Sequence, residues 1–261
     1  MATASDDREE DSKRDRLFVE AVARAFRVLE AFADTPEPMT LSQLAAAAGI
    51  DKSAAQRLSH TLGQLGYLEQ GSGGLVPGRR LLERSFDYLR ANPLVGRAIP
   101  IIAELRRSVQ ERVDLSLFDD TTMLYLARLQ SKRDTFYGHL IGRRVPTYCT
   151  SGGRAVLSRL PRAEAQDILR RSDRRKMTSH TVVAIADIMA EVDAAREAGY
   201  ALALQQLHVG EVAIAVAIAG KDGRPVGAIH VAGSLGEWEP KDFAGRMAPL
   251  AVSAATAIAS T

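Results

Sequence analysis

Ser53, Gln56, Arg57 and His60 recur at steps of three and four in a stretch patterned as a helix, and their side chains are of the kinds that read base edges. An arginine fork matches guanine O6 and N7, and a glutamine amide matches adenine N6 and N7. Lys52, beside them, is a compact charge suited to phosphate, which positions a protein on a duplex without specifying sequence. The same five residues would equally form the solvated face of any surface helix, so their surroundings must decide.

A second group could hold a small anion. Thr150, Ser151, Gly152 and Gly153 stand before a helical run, Arg154 to Leu160, and backbone N–H groups at a helix start attract carboxylates. A capped helix with nothing bound is the alternative. Tyr137 and Tyr148 can stack on a ring or hydrogen-bond to it, Arg143 and Arg144 carry forks that match a carboxylate, and Val145, Ala213, His230 and Ala232 suit a cavity lining. Each of these alone is as much at home in a core or a surface turn.

Enzymatic chemistry finds little support. Cys149 is the single cysteine, which excludes an internal disulfide, and with no base evident beside it an inert buried thiol is expected. His60, His139, His180, His208 and His230 are scattered without the close pairing of a ligand set, and no nucleophile or acid–base pair has catalytic spacing. The chain therefore reads as a non-enzyme with no metal and no cofactor.

The elements around the first group give it a context. Residues 1–17 carry charge with almost nothing apolar and read as a disordered tail. Phe18, Val22, Phe26, Leu29 and Phe32 then give a helix with one buried face, which Pro36 and Pro38 end. Thr40 with Gln43 forms a capping box for a helix over Leu41–Ala48, Gly49 stops it, and Asp51 caps a third helix with Ala55, Leu58, Leu62 and Leu65 inward. Tyr67–Gln70 and Leu75–Pro77, joined by the turn Gly71–Gly74, read as a two-stranded wing. Residues 18–78 are thus expected to be a winged helix-turn-helix, with the base-reading group on its second helix. Residues 79–92 read as a linker helix ended by Asn92-Pro93, whose apolar side of Leu82, Phe86 and Leu89 either seams a dimer or packs on the wing.

Residues 93–261 follow a different rhythm: a helix over Leu94–Arg112, strands at Val113–Phe118, Met123–Leu129 and Thr135–Ile141, then helices near Arg154–Leu160, Arg162–Arg170 and Ile185–Ala198. Strands Val212–Ala219 and Pro225–Ala232 flank a hairpin turn, and a helix closes the chain from Pro240 to Ala259. The class is α+β, with an antiparallel sheet under helices and room for a cavity between layers.

A length of 261 residues suits two domains, and 46% hydrophobic with 25% charged residues suits a globular chain. The net charge of +2 does not by itself point to nucleic acid, so the distribution of charge carries the argument. No apolar stretch approaches the roughly 18 to 20 residues of a membrane span, and the N-terminus lacks a signal peptide's apolar core. A cytoplasmic protein without a membrane partner is expected.

The run LSQLAAAAGIDKSAAQRLSHTLGQLGYLEQ, Leu41 to Gln70, resembles the winged helix-turn-helix of the IclR family of transcriptional regulators. GRRVPTYCTSGGRAVLSRLP, AREAGYALALQQLHVGEVAIAVAI and GRPVGAIHVAGS are similar to segments of that family's effector domain. The resemblance implies homodimers or dimers of dimers, binding to double-stranded operator DNA, repression as the commoner role, and a small organic acid as effector. YCTSGGR is most similar to the branch that controls aromatic-acid breakdown, which implies an aromatic carboxylate. The sequence departs from the family where the ligand usually sits: Ala203, Gln205 and Gln206 replace acidic residues, Ala213 replaces a common cysteine, and His230 a small polar residue. The expected function is a ligand-responsive DNA-binding repressor of a catabolic operon. The alternatives are a small-molecule enzyme and a protein-interaction module built on a winged domain.

Overall fold

The computed structural model describes residues 17–33, 35, 37–130 and 141–260. The chain divides into two compact units between Leu89 and Arg90. The expected tail, apart from Leu17, lies outside the described residues, as does the expected strand Thr135–Ile141 apart from Ile141.

The first unit holds α1 (Glu20–Glu30), α2 (Leu41–Ala47), α3 (Lys52–Gln64), β1 (Leu68–Gly71), β2 (Gly74–Pro77) and most of α4 (Arg80–Ala91). The capping box at α2 forms: Thr40 accepts from the Gln43 N–H, and the Thr40 N–H donates back to Gln43 Oε1 at 2.9 Å. Asp51 caps α3, Oδ1 accepting from the Ala54 N–H at 2.8 Å, after Gly49 turns the chain at φ 62°. Val28, Phe32, Leu44, Ala48, Leu62 and Leu68 form the core of this unit. The antiparallel wing β1–β2 is tied to the chain before α2 by a bridge between Leu75 and Met39.

One expectation for α1 fails. Its core face is served by Val28, with Phe32 just beyond it, whereas Phe18, Val22 and Phe26 are 57, 51 and 58% exposed. The segment carries two apolar stripes, and the more conspicuous one points away from the core. On α4 Leu82 and Phe86 are likewise 75 and 62% exposed, which removes the reading that they pack on the wing within this chain.

The second unit contains α5 (Pro93–Val109), β3 (Arg112–Asp119), β4 (Thr122–Leu129), β5 (Arg144–Pro146), α6 (Ser151–Ser158), α7 (Arg162–Arg171), α8 (Ile185–Ala198), β6 (Ala201–Leu204), β7 (Glu211–Ala219), β8 (Pro225–Ser234) and α9 (Pro240–Ser260). Six strands form one antiparallel sheet in the order β5-β4-β3-β8-β7-β6. Helix α5 stops three residues short of the expected Arg112, because Gln110 turns left-handed at φ 57° and accommodates the C-cap. Strands β5 and β6 were not expected: the first is three residues long, and Ala-Leu-Ala-Leu has weak strand preference until the sheet supplies partners.

Strand β7 shows why the two faces differ. Ala213, Ala215 and Ala217 alternate with Val212, Ile214, Val216 and Ile218. The alanines let α6 and α8 approach closely, with Ala155, Ala195, Ala201 and Ala215 packed together. On the other face Phe243 of α9 abuts Gly233 of β8, where a Cβ would lie 2.8 Å from its ring.

Candidate functional site

Helix α3 is held at its start by the Asp51 cap and along its inner side by Ala55, Ser59 and Leu62, all buried. That anchoring leaves Lys52, Ser53, Gln56, Arg57 and His60 together on the exposed side. Arg57 and Thr61 also border a groove of about 410 Å³ whose opposite wall is Glu20, Ala21 and Arg24 of α1. Glu20 binds both Arg24 and Arg27, at 3.1 and 3.2 Å, so α1 adds cations beside α3 that are already partnered by a carboxylate. Periodicity alone did not single out these arginines, since charge on an exposed helix face is ordinary.

The second unit encloses a small cavity between the start of α6 and the alanine-rich sheet face. It is lined by Arg112, Tyr125, Cys149, Thr150, Ser151, Ala203, Gln205, Gln206, Leu207, Glu211, Ala213 and His230, and has about 20 Å³ of room, enough for about one water. His230 lies across it, with Nε2 2.7 Å from Ser116 Oγ, Nδ1 3.5 Å from Ser151 Oγ, and its ring 5.3 Å from that of Tyr125. Arg112 donates to Asp114 Oδ2 at 2.9 Å and to Glu211 Oε2 at 2.7 Å, and Asp114 also accepts from Arg128 at 2.9 Å.

Burial sets the protonation states here. It pushes the His230 imidazole down to about 4, a shift opposed by Asp114 and assisted by Arg112 and Arg128, so at neutral pH the ring is an uncharged donor and acceptor. Burial also raises the Tyr125 phenol, with Asp114 adding to the effect. For Arg112 burial works against the charge, but Asp114 and Glu211 outweigh it and hold the guanidinium above its ordinary value. Cys149 is raised to about 11 by burial, so its thiol stays protonated and unreactive.

The effector residues expected from sequence fall into three sets. Thr150, Ser151, Ala213 and His230 line the cavity, and Ala232 lies beside Ala213 across the β7–β8 pair, buried. Gly152 and Gly153 are explained by packing: a Cβ would lie 2.1 Å from His230 Cε1 in the first and 1.9 Å from the Thr147 carbonyl oxygen in the second. The Gly153 N–H donates to Thr150 Oγ1, so it is engaged in the helix cap. Arg144, Tyr148 and Val145 do not line the cavity. Arg144 is exposed and pairs with Asp119, donating also to Thr122 Oγ1 at 2.9 Å. Tyr148 points into the α6–α8 core and donates to the Arg175 carbonyl. Val145 packs with Met123, Tyr125, Val156 and Ala228. Tyr137 lies outside the described residues.

Sequence reasoning missed Arg112, Tyr125 and Glu211 as wall residues. A signal was present in β3, where Arg112, Asp114 and Ser116 alternate with Val113, Leu115 and Leu117. That pattern is also what a half-solvated strand shows, and only the helix above the sheet makes the polar face interior. Arg154, fully buried on α6, donates to Gln206 Oε1 at 2.6 Å and pairs with Glu191, fastening the cavity's Gln205–Leu207 wall to the helix.

The two units match two family models in chain order. The IclR helix-turn-helix domain covers residues 21–72, and the bacterial transcriptional regulator IclR C-terminal domain covers residues 86–260. The chain belongs to the IclR family of bacterial transcriptional regulators. This IclR-type chain is 27% identical over 240 residues to the Pca regulon regulatory protein of Pseudomonas putida, covering 91% of the chain and 82% of that protein. A crystal structure from Rhodococcus sp. RHA1, assigned as a transcriptional regulator, superimposes with a TM-score of 0.83 at 29% identity, covering 93% of this chain and 98% of that one. An IclR homologue from Microbacterium hydrocarbonoxydans, crystallised with 4-hydroxybenzoate, shares the fold with a TM-score of 0.77 at 23% identity, over 92% of this chain and all of that one. The IclR assignment makes the chain a DNA-binding regulator rather than an enzyme. No helix among the described residues is long and apolar enough to cross a membrane.

Proposed function

We propose that this regulator is a homodimeric repressor of a catabolic operon whose grip on its operator is altered by a small aromatic carboxylate. Residues 18–78 bind DNA, residues 79–92 link, and residues 93–261 receive the effector. The observation that carries the DNA half is the exposed polar side of α3, held rigid by its cap and its buried inner side. Arg57 and Gln56 meet base edges, Ser53 and His60 flank them, and Lys52 meets phosphate.

Self-association is supported by the exposed apolar residues Phe18, just before α1, Val22 and Phe26 on α1, and Leu82 and Phe86 on α4, since apolar rows of this kind favour a covering surface. A dimer presents two α3 helices to half-sites about 34 Å apart or a multiple of that. The effector reading is supported by the polar cavity beneath α6, by the Pca regulon relative and by the 4-hydroxybenzoate complex of the Microbacterium homologue. To change DNA binding, the acid must favour one arrangement of the protein over another; equal affinity for both shifts nothing. The site of action is the cytoplasm, where operator DNA lies.

Footprinting on the DNA upstream of the gene, with and without benzoate and 4-hydroxybenzoate, tests this. The expected result is a two-half-site footprint that fades as acid is added. A footprint that deepens with acid would reverse the sign, a footprint indifferent to acids would remove the aromatic-acid reading, and no footprint on any promoter fragment would remove the DNA reading.

A further inference from the structure

The cavity's charged wall specifies how a carboxylate would be held. Arg112 is nine-tenths buried and has two carboxylate partners of unequal freedom. Asp114, fully buried in β3, divides itself between Arg112 and Arg128 and has none of its side chain in solvent. Glu211 is the first residue of β7, follows the left-handed Gly210, and keeps 16% of its side chain exposed. Rotating Glu211 outward breaks its contact with Arg112 Nη2 and places its carboxylate in water, whereas moving Asp114 would strip two buried guanidiniums at once.

We propose that Arg112 is the anchor for the effector's carboxylate and that Glu211 is a built-in stand-in for it, displaced one for one when an acid enters. The inference rests on the effector reading above and adds a residue and a ligand class to it. Room supports the exchange. A cavity of about 20 Å³ admits no organic acid until a wall side chain leaves, and Glu211 is a wall residue at a strand end with part of its side chain already in solvent. The exchange keeps the buried Arg112 charge compensated throughout, which matters because an unpaired buried charge is strongly destabilising. Replacing one carboxylate by one carboxylate selects a monocarboxylate. The rest of such a ligand meets Ala203 and Ala213, small enough to seat a ring, and the neutral His230 and Ser151, which offer hydrogen bonds but no second positive charge. Dianions are therefore disfavoured.

The test uses the full chain and acetate as probe, so it does not depend on knowing the effector. Glu211→Ala leaves Arg112 without its mobile partner and opens space beside it. Melting temperature is followed against acetate and, as a neutral control, acetamide, at constant chloride. The expected result is a rise of about 3 °C or more for Glu211→Ala with acetate, little change in wild type, none with acetamide, and none in Arg112→Met/Glu211→Ala. Glu211→Gln, close to isosteric, serves if the alanine variant folds poorly, and should bind acetate at least tenfold more tightly than wild type by calorimetry. Acetate that stabilises neither Glu211 variant above wild type, or that stabilises the double variant equally, overturns the anchor. Rescue by acetate combined with a footprint indifferent to aromatic acids would keep the anchor and remove the regulatory reading. An acid-sensitive footprint unchanged by Arg112→Met would do the reverse.

Discussion

Helix α3 and the cavity beneath α6 both gather polar side chains, but one displays them and the other hides them. The five α3 residues stand in solvent, so each can be removed without leaving a buried group unpaired. At the cavity the wall residues Arg112 and His230 are buried and bonded to Asp114 and Ser116, themselves buried. On the proposed function, recognition and stability are therefore separable on α3 and entangled in the cavity. A loss of effector response in a cavity variant carries meaning only beside a measurement of folding.

The largest expected effect tests that entanglement. Asp114→Ala strips the carboxylate from two buried guanidiniums and should destabilise the second unit by about 3–5 kcal/mol in chemical denaturation; a change below about 1 kcal/mol would show that the cluster tolerates water. Next comes the pH response of His230. Its folded value lies near 4, below the ordinary 6.5, so the folded state binds fewer protons than the unfolded state between those values. Stability should be intact above about pH 6.5 and fall by roughly 3 kcal/mol as pH drops to 4, and His230→Gln should flatten its share of that slope. Asp114, Arg112 and Arg128 face the same ring and stay in place in that variant, which isolates the imidazole.

A smaller effect concerns packing. Gly152→Ala drives a Cβ into the imidazole and should cost about 1–3 kcal/mol, most of it recovered when His230 is replaced by serine. An unchanged penalty in the double variant would place the clash elsewhere. Smallest for folding is Phe86→Ser with Leu82→Ser: melting of the first unit should hold within about 0.5 kcal/mol while sedimentation shifts from dimer towards monomer. An intact dimer would move the seam off α4.

Legibility in the sequence followed the same division. The capping box at Thr40, the cap at Asp51, the Gly49 turn and the wing glycines are local signals, so α2, α3 and β1–β2 were readable within a residue or two of their ends. The outward stripe of α1 was misread because periodicity reveals an apolar face without saying what covers it. The cavity is assembled from β3, β4, β6, β7, β8 and the start of α6, segments up to 118 residues apart, from Arg112 to His230. Thr150 and Ser151 carried the local character of a helix start, and Ala213 and His230 stood out through the family resemblance, whereas Arg112 and Glu211 at strand starts resembled ordinary surface charges. Tyr148 and Arg144 had suitable chemistry but point into a core and to solvent respectively, a choice made by strand and turn geometry.

On the proposed function, α3 reads operator DNA through side chains that contribute little to folding. The most direct test is a salt series of binding to the upstream DNA for wild type and Arg57→Ala, with both proteins matched in melting temperature. The expected result is tight selective binding that weakens steeply with salt, and a loss of roughly ten- to a hundredfold on the specific site in Arg57→Ala with non-specific binding much less affected. Equal affinity of the two proteins for specific and random DNA, at every salt concentration, would contradict it.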